Sequence, residues 1–325
     1  MTERPGRLRL VQNGKLIPDP VADTPEVDYP NATQGGLLDV LLDPNYSENG
    51  WIYLSYSHAL PQKADAGNAP GMLRVVRGRI ENHRWVDQQL IFDAPHETYP
   101  DTPPYHYGGR LLFDDQGYLF ISIGDRYAFD PAQDLRVAHG KIHRINADGS
   151  IPADNPFIRS ENALPSIFSY GHRNPQGMAL HPQTGDLWAS EHGPMGGDEL
   201  NLIKSGANYG WPMISYGINY DGTELTPHRR REGMEQPLVY WRPSIAVSGA
   251  AFYTGNLFPR WRNKLLVGAL KDEELRLLDI DNERAMHQEI LMKGQGQVRH
   301  VTIGQDGAIY VLLHKPGRVL RLTPK

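Results

Sequence analysis

The chain of 325 residues contains no cysteine, which excludes disulfides, thiolate metal sites and cysteine nucleophiles together. It has no apolar run near the ~18 residues of a membrane span. It lacks a basic excess too: 33 Lys and Arg stand against 38 Asp and Glu, a formal net charge of -5. A nucleic-acid binder wants a basic surface, so that partner class is disfavoured. The opening MTERPGRLRL shows no charged-then-apolar signal region, so export is not legible from it. Helical patterns are scarce. Pro131 to Ala138 suits two turns, and Asn282 to Lys293 suits a helix or a hairpin. No G-x-S-x-G elbow, Walker loop or G-x-G-x-x-G in a βαβ setting occurs, and GQGQ at Gly294 to Gln297 is too short to count. Redox chemistry here would need a cofactor other than a Rossmann-bound nucleotide.

What the chain does have is glycine and proline, 33 and 26 of them, which suit short strands and tight turns. One pattern recurs: an alternating apolar segment, a turn, and a second alternating segment. It runs over Leu37 to Ser57, Gly109 to Arg126, Gly177 to Gly193, Gly249 to Leu270 and Val298 to Lys315. Leu119, Ile121 and Ile123 share one face, the period of a half-buried strand. Asp115-Gln116-Gly117 and Gln305-Asp306-Gly307 suit hairpin turns. Copies roughly 50 to 70 residues apart predict an all-β, blade-like array, whose closed form is the β-propeller; a plain β-sandwich would not repeat this way. HKPGRVLRLTP near the C-terminus resembles ERPGRLRLVQ near the N-terminus, yet nothing precedes the latter. The expectation is a single domain over 1–325, a six-bladed propeller whose first blade is truncated at the N-terminus.

Unusual residues crowd most densely between Ser169 and Pro212. Arg173 and Asn174 adjoin there, a loop follows with Gly193, Pro194, Gly196 and Gly197, and then come Asp198, Glu199, Tyr209 and Trp211. Glycine frees the backbone to turn carbonyls outward. Carbonyls with one carboxylate make the oxygen set that Ca²⁺ prefers, so the loop is a candidate metal site around Glu199 and Tyr209. Gly193 and Pro194 have only carbonyl oxygens to offer. An equal reading is a site that staples the loop without touching substrate.

His106, in PYHYGGRL ahead of a blade strand, is a candidate general base, and Asp125 in IGDR a candidate for fixing its tautomer. Among 13 histidines, a hydrogen-bonded or surface role is the ordinary one. His139 and His143 have a metal-ligand spacing, but the intervening Gly140 argues against a helical zinc pair. Arg173, Lys271 and Arg299 each adjoin a blade strand and together suit an anion, or else ordinary salt bridges. Gln34 is a polar residue at a matching blade entry, or a turn cap.

GHRNPQGMAL, SEHGPMGGDELN and NYGWP, with HYGGRLLF, GKIHRINADGSIPADNPF and VSGAAFY, follow one another in a specific order. This series resembles the soluble PQQ-dependent aldose sugar dehydrogenases, the glucose/sorbosone dehydrogenase type, from about Thr2 to the C-terminus. The resemblance implies that His106 takes the proton of the anomeric hydroxyl while hydride passes to PQQ. Asp125 would orient it. Gly193 and Pro194 would bind the Ca²⁺ that polarises the quinone. Gln34, Arg173, Asn174, Tyr220, Ala269, Leu270, Lys271, Gln297 and Arg299 would border PQQ, with Arg173 also steadying its reduced form. Glu199 and the Tyr209 carbonyl would hold a second, structural Ca²⁺. Tyr105 and Gln297 depart from the family, which often has an acid or amide before the histidine and a second arginine. The resemblance further implies a sugar substrate, an external electron acceptor, a monomer or homodimer, and a periplasmic or secreted location. A metal-dependent propeller lactonase or esterase would want acids or amides in the channel rather than three cations. A non-catalytic sugar- or protein-binding propeller would have no need of His106 with Lys271 and Arg299.

Overall fold

The computed structural model describes residues 1–29, 34–61, 68–281 and 284–324. The chain forms two compact units, Met1–Asn174 and Pro175–Lys325. In the first, Leu37–Leu42, Ile52–Ala59, Gly71–Glu81 and Arg84–Asp93 make one four-stranded antiparallel meander. Leu111–Phe113, Tyr118–Ile123, Lys141–Asn146 and Ile167–Tyr170 make the next. The second unit has Pro175–Leu180, Leu187–Glu191, Asp198–Ile203 and Val239–Trp241 in one sheet. Val247–Phe252, Leu265–Ala269, Glu274–Asp281 and Arg284–Lys293 form another, and Val298–Ile303, Ile309–Leu313 and Arg318–Leu322 form a three-stranded sheet.

Every one of the five sequence repeats is thus the first hairpin of a sheet. The apolar face of each hairpin packs against a neighbouring sheet of its unit, but an inner strand can be buried on both faces. Tyr118–Ile123, expected half-buried from its period, buries Phe120 and Ser122 as well, because sheets of this kind stack face to face. Leu111, Leu119, Ile121 and Ile123 pack with Tyr53, Leu73, Val75 and Phe92 between the two sheets of the first unit. Ala179, Trp188 and Leu200 pack with Val247, Leu265 and Val267 in the second. Burying one such side chain contributes about 1.5–3 kcal/mol. The all-β class holds, built of propeller-type blades.

The count does not match the sequence expectation of six blades. Among the described residues there are five blade-sized sheets. The N-terminal segment forms only the short ladders Thr2–Glu3 with Arg7–Leu8 and Val11–Gln12 with Lys15–Leu16. Gly6 and Gly14 turn the chain back at once, with φ of 97° and 73°. The two turns expected from Pro131 reduce to a 3-10 helix, Asp130–Gln133. Lys293 ends a strand that starts at Arg284, while Asn282 lies outside the described residues.

Candidate active site

In the first unit His106 stands at the entry to the Leu111–Phe113 hairpin and Asp125 just past its end. The hairpin brings them together: Asp125 Oδ1 lies 2.7 Å from His106 Nδ1, and both residues are buried. Asp125 therefore fixes the tautomer with the proton on Nδ1, and Nε2 is left for chemistry. Burial lowers the His106 pKa most, the Arg173 charge lowers it further, and Asp125 opposes both. His106 holds a left-handed φ of 52°, uncommon for a residue with a side chain. It is pinned there by its N–H, which donates to Gln34 Oε1 at 2.8 Å. Gly124 packs so close to the carbonyl of His106 that an added Cβ would sit 2.2 Å from it. Arg173 and Asn174 join the group. The Arg173 carbonyl accepts the Asp125 N–H at 2.8 Å, and Asn174 Oδ1 accepts the Gly108 N–H at 3.1 Å. Gln34, His106, Asp125, Arg173 and Asn174 thus form one constellation.

Arg126 and Tyr127 escaped the sequence analysis. Arg126 is fully buried, its guanidinium 3.6 Å from the centre of the Tyr107 ring and bonded to the carbonyls of Tyr105 and Gly71. It clamps the residue before His106. Tyr127 places its ring edge-on to the imidazole, 5.3 Å between centres. No glycine or proline signals this turn.

In the second unit the Gly193–Pro194 loop is braced by Asp198. Its Oδ1 accepts the Gly193 N–H at 3.0 Å and lies 2.9 Å from Ser244 Oγ, while Oδ2 accepts the Ala246 N–H at 2.6 Å. Ser244 Oγ also lies 3.3 Å from the Pro194 carbonyl, and the Ser244 carbonyl accepts Lys271 Nζ at 3.2 Å. Ser244 was missed as well, and it links the loop to Lys271. Leu270 and Lys271 turn away from the end of Leu265–Ala269, their N–H groups donating to the carbonyls of Ala246 and Ile245. Gln297 pairs through its backbone with Lys315 and His314, just before Arg299 in the Val298–Ile303 strand. Among the described residues Tyr220 is the most exposed large hydrophobic side chain, at 67%.

Glu199 faces Glu191 directly across the Leu187–Glu191 and Asp198–Ile203 pair. Like charges in that register repel. Burial, then the Glu191 carboxylate, push the Glu199 carboxyl well above the usual range. Asn201 Nδ2 donates to both acids, at 2.9 and 3.2 Å, and its buried Oδ1 has no partner among the described residues. Two crowded carboxylates beside an orphaned amide oxygen fit a hard cation. Glu191 and Asn201 were not singled out from sequence, although strand register brings both beside Glu199. The Tyr209 side chain staples the same loop, its hydroxyl donating to the Leu202 carbonyl and accepting from the Lys204 N–H. Among the described residues no three His, Cys, Asp or Glu side chains cluster as a metal site, so any cation here relies on backbone and amide oxygens as well. Arg173 in the first unit, and Lys271 and Arg299 in the second, each carry the kind of charge that meets a carboxylate.

The fold and these groups define an all-β, blade-built protein carrying a buried His–Asp pair and an oxygen-rich, cation-ready loop. The glucose/sorbosone dehydrogenase family model matches residues 1–321, and the chain belongs to that family. It is 41% identical to the aldose sugar dehydrogenase YliI of Escherichia coli K12, over all of this chain and 86% of that protein. It is 34% identical to quinoprotein glucose dehydrogenase B of Acinetobacter calcoaceticus, over 73% of this chain and 53% of that one. A crystal structure of a glucose dehydrogenase superposes with a TM-score of 0.92 at 40% identity, covering 100% of this chain and 92% of the other. These homologues are sugar-oxidising oxidoreductases. Among the described residues no helix is long and apolar enough to cross a membrane.

Proposed function

We propose that this protein oxidises the anomeric carbon of aldoses to lactones with PQQ and calcium, passing the electrons to an external acceptor. The observation that carries the reading is the buried His106–Asp125 pair at 2.7 Å beside Arg173. The names of the relatives supply the substrate class and the quinone. When bound, PQQ supplies a carbon that accepts hydride and calcium polarises the carbonyl there.

The residues present fit those groups. Arg173, Lys271 and Arg299 would meet the carboxylates of PQQ, with Gln34, Asn174, Tyr220, Ala269, Leu270 and Gln297 around it. The Gly193 and Pro194 carbonyls would hold the calcium ion at the quinone. Glu199, with the Tyr209 carbonyl, would hold a second calcium ion that supports the fold. His106 Nε2 takes the proton of the anomeric hydroxyl, since Nδ1 is committed to Asp125. Asp125 steadies the imidazolium that results. The same reading takes residues 1–325 as one β-propeller domain, in the periplasm or outside the cell, as a monomer or homodimer.

The test is aldose-dependent dye reduction by purified protein. Activity is expected only with PQQ and Ca²⁺ both added. Folded protein that binds both and reduces no dye with any aldose contradicts the reading.

A further inference from the structure

The turn after Asp125 is built against local preference. Arg126, Tyr127 and Phe129 have φ of 55°, 62° and 62°, so three of four successive side-chain-bearing residues are left-handed. Such strain persists only where surrounding contacts hold it, and it collects at functional sites. The contacts are visible here. Asp125 Oδ1, which holds His106, also accepts the Tyr127 N–H at 2.8 Å. Arg126 turns inward and is locked by Tyr107, Tyr105 and Gly71.

With Arg126 inside, Tyr127 is turned out. It is 40% exposed, and its ring meets the imidazole at 70°. Tyr105 and Phe129 extend the row, with ring centres 5.8 and 5.5 Å from that of Tyr127. Proton transfer at Nε2 does not need a wall of rings. A sugar does: its ring presents C–H groups on a face and hydroxyls at its rim, and the electron-rich face of an aromatic ring suits the former. Few polar groups with an apolar lining is also the usual make-up of a small-molecule site.

The geometry points to Tyr127 as the residue that packs against the apolar face of the sugar beside His106, and so sets which aldoses are accepted. This rests on the reading of His106 as the base for an aldose. The phenol hydroxyl plays no part; the ring does.

The test uses cofactor-loaded protein with Tyr127→Phe and Tyr127→Leu. Glucose, with its hydroxyls equatorial, is compared with galactose and mannose, which each carry one axial hydroxyl. Tyr127→Leu is expected to raise KM for glucose about tenfold, to leave kcat within about threefold, and to level the preference among the three sugars. Tyr127→Phe is expected to match the wild type. Calorimetric titration with methyl glucoside, whose anomeric oxygen has no proton to give, reads binding apart from oxidation. About tenfold weaker binding by Tyr127→Leu is expected there too. If the wild type binds the glycoside and oxidises no aldose while Tyr127→Leu loses binding, the function falls and the wall stands. If the wild type oxidises aldoses and Tyr127→Leu keeps its KM and its sugar preference, the wall falls and the function stands. Equal loss of kcat for all three sugars, with KM unchanged, also overturns it. A wild type that neither binds nor oxidises sinks both.

Discussion

At the scale of single residues, the charges around His106 make opposite and separable predictions. A base must be neutral to accept a proton, and burial with Arg173 holds the imidazole below its ordinary value. The plateau of kcat/KM is therefore expected to extend below pH ~6.5 and to fall only beneath it. Arg173→Gln removes a depressing charge, so that acid limb moves up. Asp125→Asn removes a raising charge, so the limb moves down, while loss of the tautomer lock lowers kcat roughly a hundred- to ten-thousand-fold. Profiles of the three proteins at saturating PQQ decide it; limbs that do not shift in opposite senses contradict the assignment.

At the scale of elements, the hairpins carry the stability. Ile121 is fully buried between two sheets, and Ile121→Ala is expected to cost about 2–5 kcal/mol in urea unfolding. Lys141 is a less obvious support. Its buried Nζ donates to the carbonyls of Pro131, Ala132 and His139 at 2.9, 3.1 and 2.8 Å, while burial brings its pKa down to about 7. Lys141→Met strands three acceptors and is expected to cost roughly 3 kcal/mol, read the same way. The hairpins were legible in sequence because a period of two is local, and His106 with Asp125 because one hairpin joins them. Glu191 was not, because only strand register sets it opposite Glu199. Tyr127 was hidden because RYAF carries no residue that favours a left-handed backbone. Lys141 reads as an ordinary strand residue in GKIHR. The sixth blade was overcalled because a likeness between two segments says nothing about the strands beside them.

At the scale of the whole molecule, the account ties stability to calcium. Facing carboxylates repel until a cation sits between them, so Ca²⁺ is expected to raise the melting temperature. A concentration a hundredfold above Kd contributes about 2.7 kcal/mol. Glu199→Gln relieves the repulsion and removes a ligand. It is expected to melt higher than the wild type in chelator, and to gain little from added Ca²⁺. Calorimetric scans with and without chelator check this, and an equal calcium increment in both proteins speaks against a cation at Glu199. The central claim concerns one proton, and a single-turnover experiment reaches it most directly. Protein loaded with PQQ and Ca²⁺ is mixed with aldose and no acceptor, and the quinone absorbance is followed. The wild type is predicted to lose that absorbance, and His106→Asn to bind PQQ equally well and keep it. Bleaching by His106→Asn at the wild-type rate would contradict the account.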